Sequence, residues 1–180
     1  TEPNEGKSTV AANLALTLAA AGSRVLLIDA DLRRSSVHRF FRIDREPGLG
    51  NLLEPQPDPD RVGVIAPTAD PNLYVIPSGK PAGNCGELIL SKTFDRLLAQ
   101  VRQDFDFTIF DSIPVFASDD ATTLAPKLDG VLFVVRGGRS RGRLVRQALE
   151  LLYQRQAKVL GLVFNRADST SGRYPYYQYA

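Results

Sequence analysis

An α/β fold, with a mostly parallel sheet flanked by helices on both faces, is what this sequence predicts, and two patterns predict it. Short continuous apolar runs recur along the chain with helix-forming stretches between them. That alternation suits strands buried on both faces of a doubly wound parallel sheet. The second pattern is the triplet Gly6-Lys7-Ser8, which runs directly into an Ala/Leu-rich segment, the way a phosphate-binding loop enters its helix. In such folds ligands sit beyond the carboxyl ends of the strands.

Taken in order, Lys7 to Ala21 reads as one helix, rich in Ala and Leu and ended by Gly22. Arg24-Val25-Leu26-Leu27-Ile28-Asp29 follows as a buried strand closed by an acid. Tyr74-Val75-Ile76, Phe107-Thr108-Ile109-Phe110, Gly130 to Val135 and Val159 to Phe164 are further strands. Helices are expected at about Gly86 to Gln103, Ser118 to Ala125 and Arg143 to Gln156. Between Arg34 and Asn72 the pattern loosens, and Glu54-Pro55-Gln56-Pro57-Asp58-Pro59-Asp60 reads as an extended loop, because proline removes donors and fixes φ. Residues 168–180 are polar and then tyrosine-rich without apolar periodicity, so the chain divides into a globular domain over 1–167 and a flexible tail over 168–180.

Composition narrows the possibilities. The 180 residues are 43% hydrophobic, enough for a substantial core in one domain. A net charge of +2 from near-balanced totals gives no global basic field for nucleic acid. One cysteine, Cys85, excludes an internal disulfide framework and fits a reducing cytosol. No apolar run reaches about 18 residues, so work at a membrane requires a partner or an upstream segment. A phosphate-binding loop normally follows a buried strand, and Thr1 stands where its first glycine would be. The chain is therefore read as lacking its first strand.

The chemistry gathers at strand ends. In a loop of this type, backbone N–H groups and the helix N-terminus cradle the phosphates, Lys7 reaches the β/γ-phosphates and the Ser8 hydroxyl reaches Mg²⁺. Glu5, Gly6 and Thr9 complete the nucleotide-binding stretch. Asp29, Asp31 and Asp111 all lie at or just past strand ends, on the side of the loop. Mg²⁺ needs one or two carboxylates besides Ser8, and a third acid among these would be free to orient or deprotonate a nucleophile. His38 and Cys85 read as structural. Arg139, Arg141, Arg143 and Arg146 read either as a grip for phosphate or an acidic tail, or as a solvated helix start.

Leu26-Leu27-Ile28-Asp29-Ala30-Asp31-Leu32-Arg33 and Thr108-Ile109-Phe110-Asp111-Ser112-Ile113-Pro114 resemble the Walker A′ and Walker B motifs of the bacterial protein-tyrosine kinases. These are deviant-Walker, partition-ATPase-like P-loop NTPases, and the resemblance spans essentially the whole chain. It implies an ATP- and Mg²⁺-dependent autokinase that phosphorylates a C-terminal cluster, here Tyr174, Tyr176, Tyr177 and Tyr179, and so regulates exopolysaccharide or capsule synthesis and export. It implies as partners neighbouring copies of the chain, a membrane-embedded activator of the chain-length-determinant kind and a tyrosine phosphatase, and a cytoplasmic location at the inner face of the membrane. By the same resemblance Lys7, Asp29, Asp31 and Asp111 are catalytic, with Asp111 supporting the metal directly or through water and Asp29 and Asp31 sharing metal contact and activation of the tyrosine hydroxyl. Asn165, which ends the last strand, is either an adenine contact or a turn former.

The family's Pro-Pro-Asn-Pro stretch is only partly kept in Ser78 to Ile89, and its upstream Arg-bearing helix is absent. Two rivals stand beside the kinase. A positioning or partition ATPase of the same fold would explain the loop and acids but not the tyrosines, and a non-catalytic assembly module would retain nucleotide binding alone.

Overall fold

The computed structural model describes residues 2–54, 63–80 and 85–167. The expected tail with its four tyrosines, most of the proline-rich loop and residues 81–84 lie outside these.

Helix α1 (Lys7–Ala20) is followed by strand β1 (Val25–Asp29). Gly22, at φ +93°, turns the chain between them and donates its N–H to the Ala19 carbonyl, the left-handed ending that glycine adopts without Cβ strain. All five residues of β1 are buried. Its alternation feeds two cores: Val25 and Leu27 pack with Ala12, Ala15 and Ala19 of α1, whereas Leu26 and Ile28 face the opposite layer. Three alanines on one stripe let the helix axis lie close to the sheet.

That opposite layer contains α4 (Cys85–Leu90) and α5 (Lys92–Asp104). The sequence suggests one helix here, but Ser91 splits it. The Ser91 hydroxyl donates to the Leu88 carbonyl and accepts from the Phe94 N–H, ending one helix and capping the next. The loosely patterned stretch holds α2 (Val37–Phe41), α3 (Leu49–Leu53) and a two-residue strand β2 (Ala66–Pro67). Beyond it come β3 (Leu73–Ile76), β4 (Phe107–Asp111), α6 (Asp120–Leu124), β5 (Val131–Arg136), α7 (Gly142–Gln154) and β6 (Val159–Asn165).

The strands form two sheets. One has the order β2-β3-β1-β4, parallel except for β2, and the other pairs β5 with β6 in parallel. The second sheet has its own core of Phe133, Val135, Ala148, Leu152 and Ala157 beneath α7. Between the sheets runs an apolar cleft of about 850 Å³, walled by β4 and β5 and floored by Val10, Ala11 and Leu14 of α1. Phe107 and Leu132 on its walls are 46% and 45% exposed. The parallel strands are divided between two sheets, as expected of a sheet lacking a central strand: among the described residues β4 pairs only with β1, and β5 only with β6.

Open ladder groups and exposed apolar walls are unfavourable, and one added strand would relieve both. A version of the protein extended upstream of Thr1 by an apolar strand should therefore melt higher than the 180-residue chain. Each kcal/mol gained corresponds to about 2–4 °C at this size. Calorimetry of the two versions checks it, and equal melting temperatures would mean that an upstream strand does not enter the cleft.

Candidate active site

The site is assembled at the carboxyl ends of β1 and β4. Gly6 immediately precedes α1 with φ +94°, and an added Cβ there would stand 2.1 Å from Asn165 Nδ2. Both facts restrict this position to glycine. The turn aims the first N–H groups of α1 outward, where a helix carries partial positive charge. Lys7 emerges from the same turn, its Nζ donating to the Glu2 carbonyl at 3.1 Å. Burial, partly opposed by Glu5, Asp111 and Asp31, holds its pKa below the ordinary lysine value.

Asp29 and Asp111 are register partners across the parallel β1–β4 ladder, which places two buried carboxylates side by side. Burial, reinforced by Asp111, pushes the Asp29 carboxyl up to about 7. Burial and the charge of Asp31 push Asp111 up to about 6, while a hydrogen bond from Ser8 and the nearby Lys7 ammonium work the other way. Lys7, Ser8, Asp29, Asp31 and Asp111 thus form one cluster, although Lys7 and Asp111 lie 104 positions apart in sequence.

The two acids after β1 are held differently. Asp29 accepts the Asp31 N–H on Oδ1 and the Ser36 and Val37 N–H groups on Oδ2, at 3.1–3.2 Å. It is fully buried and folds the loop that follows. Asp31 is half-buried; its Oδ1 accepts the Arg33 and Arg34 N–H groups. Arg33 in turn reaches Asp120, a buried acid at the start of α6, at 3.2 Å. Asp120 carries no sequence signal of its own, since its partner lies 87 residues away.

Asn165 points at the loop: its Nδ2 donates to the Glu5 carbonyl at 2.9 Å and its Oδ1 accepts the Arg166 N–H. Thr9 is exposed on α1, and the Glu5 side chain is buried beneath the loop. Arg139, Arg141, Arg143 and Arg146 are exposed. His38 shares a hydrogen bond with Ser35, and burial lowers its pKa; Cys85 is buried, which raises its thiol.

A hydroxyl and carboxylates are hard oxygen donors of the kind Mg²⁺ takes. Among the described residues no three acidic, imidazole or thiol groups converge as a ready-made cage. Burial raises Asp29 and Asp111 first and neighbouring carboxylates add to it; a divalent cation would offset those like charges.

The family description "CobQ/CobB/MinD/ParA nucleotide binding domain" matches residues 2–175. The chain is 37% identical over 172 residues to "Tyrosine-protein kinase ptk" of Acinetobacter johnsonii, covering 96% of this chain but 23% of that protein. It is 35% identical over 171 residues to "Tyrosine-protein kinase CpsD" of Streptococcus agalactiae, covering 94% of this chain and 74% of that one. Among solved structures, the kinase domain of the Escherichia coli tyrosine kinase ETK superposes with a TM-score of 0.84 at 30% identity, covering 97% of this chain and 69% of that one. The chain therefore spans about a quarter of the first of these relatives and about three quarters of the second.

Both raised carboxyls titrate above the ordinary aspartate value. Between about pH 4 and pH 7 the native state therefore binds more protons than the unfolded chain, and stability falls as pH rises through that window. Asp111→Asn removes one such group. The nucleotide-free variant should be more stable than the parent by about 1–3 kcal/mol near pH 8. Toward pH 4 the gain should vanish. Thermal scans at both pH values check this, and an equal gain at both would mean that charge is not its cause.

Proposed function

Because the chain belongs to the CobQ/CobB/MinD/ParA nucleotide-binding domain family, and within it to the bacterial tyrosine-protein kinases, we propose that it transfers the γ-phosphoryl group of ATP to tyrosine. The acceptors on this reading are Tyr174, Tyr176, Tyr177 and Tyr179 of neighbouring copies, and the activity serves exopolysaccharide or capsule synthesis. The observation that supports it most is the convergence of Lys7, Ser8, Asp29, Asp31 and Asp111 at the carboxyl ends of two adjacent parallel strands.

Phosphoryl transfer asks the protein for positioning and charge neutralisation more than for covalent chemistry. The N–H groups at the start of α1 receive the phosphates, and the Lys7 ammonium offsets charge between them. The Ser8 hydroxyl with Asp111 and Asp31 would hold Mg²⁺, which would supply the remaining neutralisation of the transferring group. Asp29, fully engaged by three N–H groups, keeps the Asp31 loop in place. Asp31, the more accessible acid, is the one an incoming phenol can approach. A tyrosine hydroxyl has a pKa near 10, so its proton passes late to that carboxylate.

No helix of the described residues is long and apolar enough to cross a membrane. On this reading a membrane-embedded activator brings the chain to the membrane, and a tyrosine phosphatase returns it to its starting state.

Lys7→Ala should lower tyrosine labelling from γ-labelled ATP by about 10²-fold or more while leaving the melting temperature nearly unchanged, since the side chain serves phosphate and not the core. Unchanged labelling would remove the site assignment. Transfer in trans is tested by mixing chains of different mass, one Lys7→Ala with its tyrosines intact, the other with Lys7 and with Tyr174, Tyr176, Tyr177 and Tyr179 changed to Phe. Label should reach the Lys7→Ala chain at a rate that rises with concentration. An unlabelled Lys7→Ala chain, beside an unmodified protein that labels itself independently of concentration, would assign transfer to cis.

A further inference from the structure

The turn between β5 and α7, residues 136–140, lies outside the phosphate loop in sequence yet is tied to it from below. Ser140 Oγ donates to Glu5 Oε1 at 2.5 Å and accepts the Arg136 N–H at 2.9 Å. The Ser140 N–H closes the turn on the Arg136 carbonyl. Arg136 Nη1 donates to the Asn4 carbonyl at 3.1 Å, and Asn165, at the end of β6, donates to the Glu5 carbonyl. The other Glu5 carboxylate oxygen accepts the Glu2 N–H at 3.0 Å. Glu5 is 0% exposed.

A hydroxyl has one proton to give. Ser140 gives its proton to a buried carboxylate, while a backbone N–H fixes the oxygen from the other side. A buried carboxylate stays buried only while donors surround it; one that loses a donor is drawn toward water or toward protonation. Glu5 sits next to Gly6, whose left-handed turn aims the first N–H groups of α1, so any drift of Glu5 displaces the groups that receive phosphate. The loop also bridges two sheets. On one side α1 packs against β1 and β3, and on the other the loop rests on the ends of β5 and β6.

We propose that Ser140 is a positioning residue for nucleotide binding: its hydroxyl holds the buried Glu5 carboxylate and thereby keeps the loop at Asn4–Gly6 shaped to receive the phosphates. This rests on reading the cluster as a nucleotide site. It is independent of whether the phosphoryl group goes to tyrosine.

The test titrates Mg²⁺–ATP calorimetrically onto the unaltered protein, Ser140→Ala and Ser140→Thr. Ser140→Ala should weaken binding about tenfold, the scale of one hydrogen bond to a charged group, and Ser140→Thr, which keeps the hydroxyl, should stay within about twofold. Where tyrosine labelling is measured, Ser140→Ala should raise the ATP KM by a similar factor and leave kcat at saturating ATP nearly unchanged, a split that general loosening of the fold would not produce. Glu5→Gln combined with Ser140→Ala should fall short of the sum of the single losses, because both remove one interaction. Unchanged affinity in Ser140→Ala, or an equal loss in Ser140→Thr, overturns the proposal. A tenfold, hydroxyl-dependent loss of binding in a protein that labels no tyrosine would sink the kinase reading and still support this one.

Discussion

The structure depends on a carboxylate at the end of a strand buried on both faces. Asp29 has no water to turn to, so its charge must be met by donors, and the chain meets it by folding the next eight residues over it: the N–H groups of Asp31, Ser36 and Val37 all point at its two oxygens. That fold presents Asp31 beside the phosphate loop. The cost of burial is visible in the raised titration of Asp29. Such cost is tolerated because the surrounding sheet is well packed.

A second constraint works from the other direction. Phosphate-binding N–H groups must be left unpaired in the protein so that a ligand can take them, which makes the loop intrinsically weak. Here it is supported from outside itself. Gly6 allows the approach of Asn165, and Arg136 at the end of β5 and Ser140 in the turn after it reach the loop. The Asp31 loop is braced likewise, through Arg33 and the buried Asp120. Each chemically exposed segment is thus anchored by a polar group from a distant element, and the acids and the lysine can face each other without collapsing onto one another.

The cleft between β4 and β5 belongs to the same architecture. Its apolar walls and unpaired edges lie directly behind the phosphate loop, with α1 as the floor. Whatever pairs with those edges would stiffen the base of the loop as well as join the sheets.

By itself the sequence determined the five parallel strands, the first helix and the cluster of Lys7, Ser8, Asp29, Asp31 and Asp111. These are set by local pattern: a run of Val, Leu and Ile ending in Asp has few other fates, and the fold brings strand ends together whatever the loop lengths. The break at Ser91 was also local, but hidden, because a serine within a helical pattern becomes a cap only when its hydroxyl outcompetes the helix for the backbone. Tertiary structure alone decided the rest. That Asp29 organises a loop while Asp31 stays accessible depends on which N–H groups fold over which carboxylate. That Ser140 and Asp120 support the site depends on contacts spanning 135 and 87 residues. Spacing along the chain carries no trace of such contacts, since a single hydroxyl or carboxylate acquires its role only from the partner that the packed sheets bring within hydrogen-bonding distance.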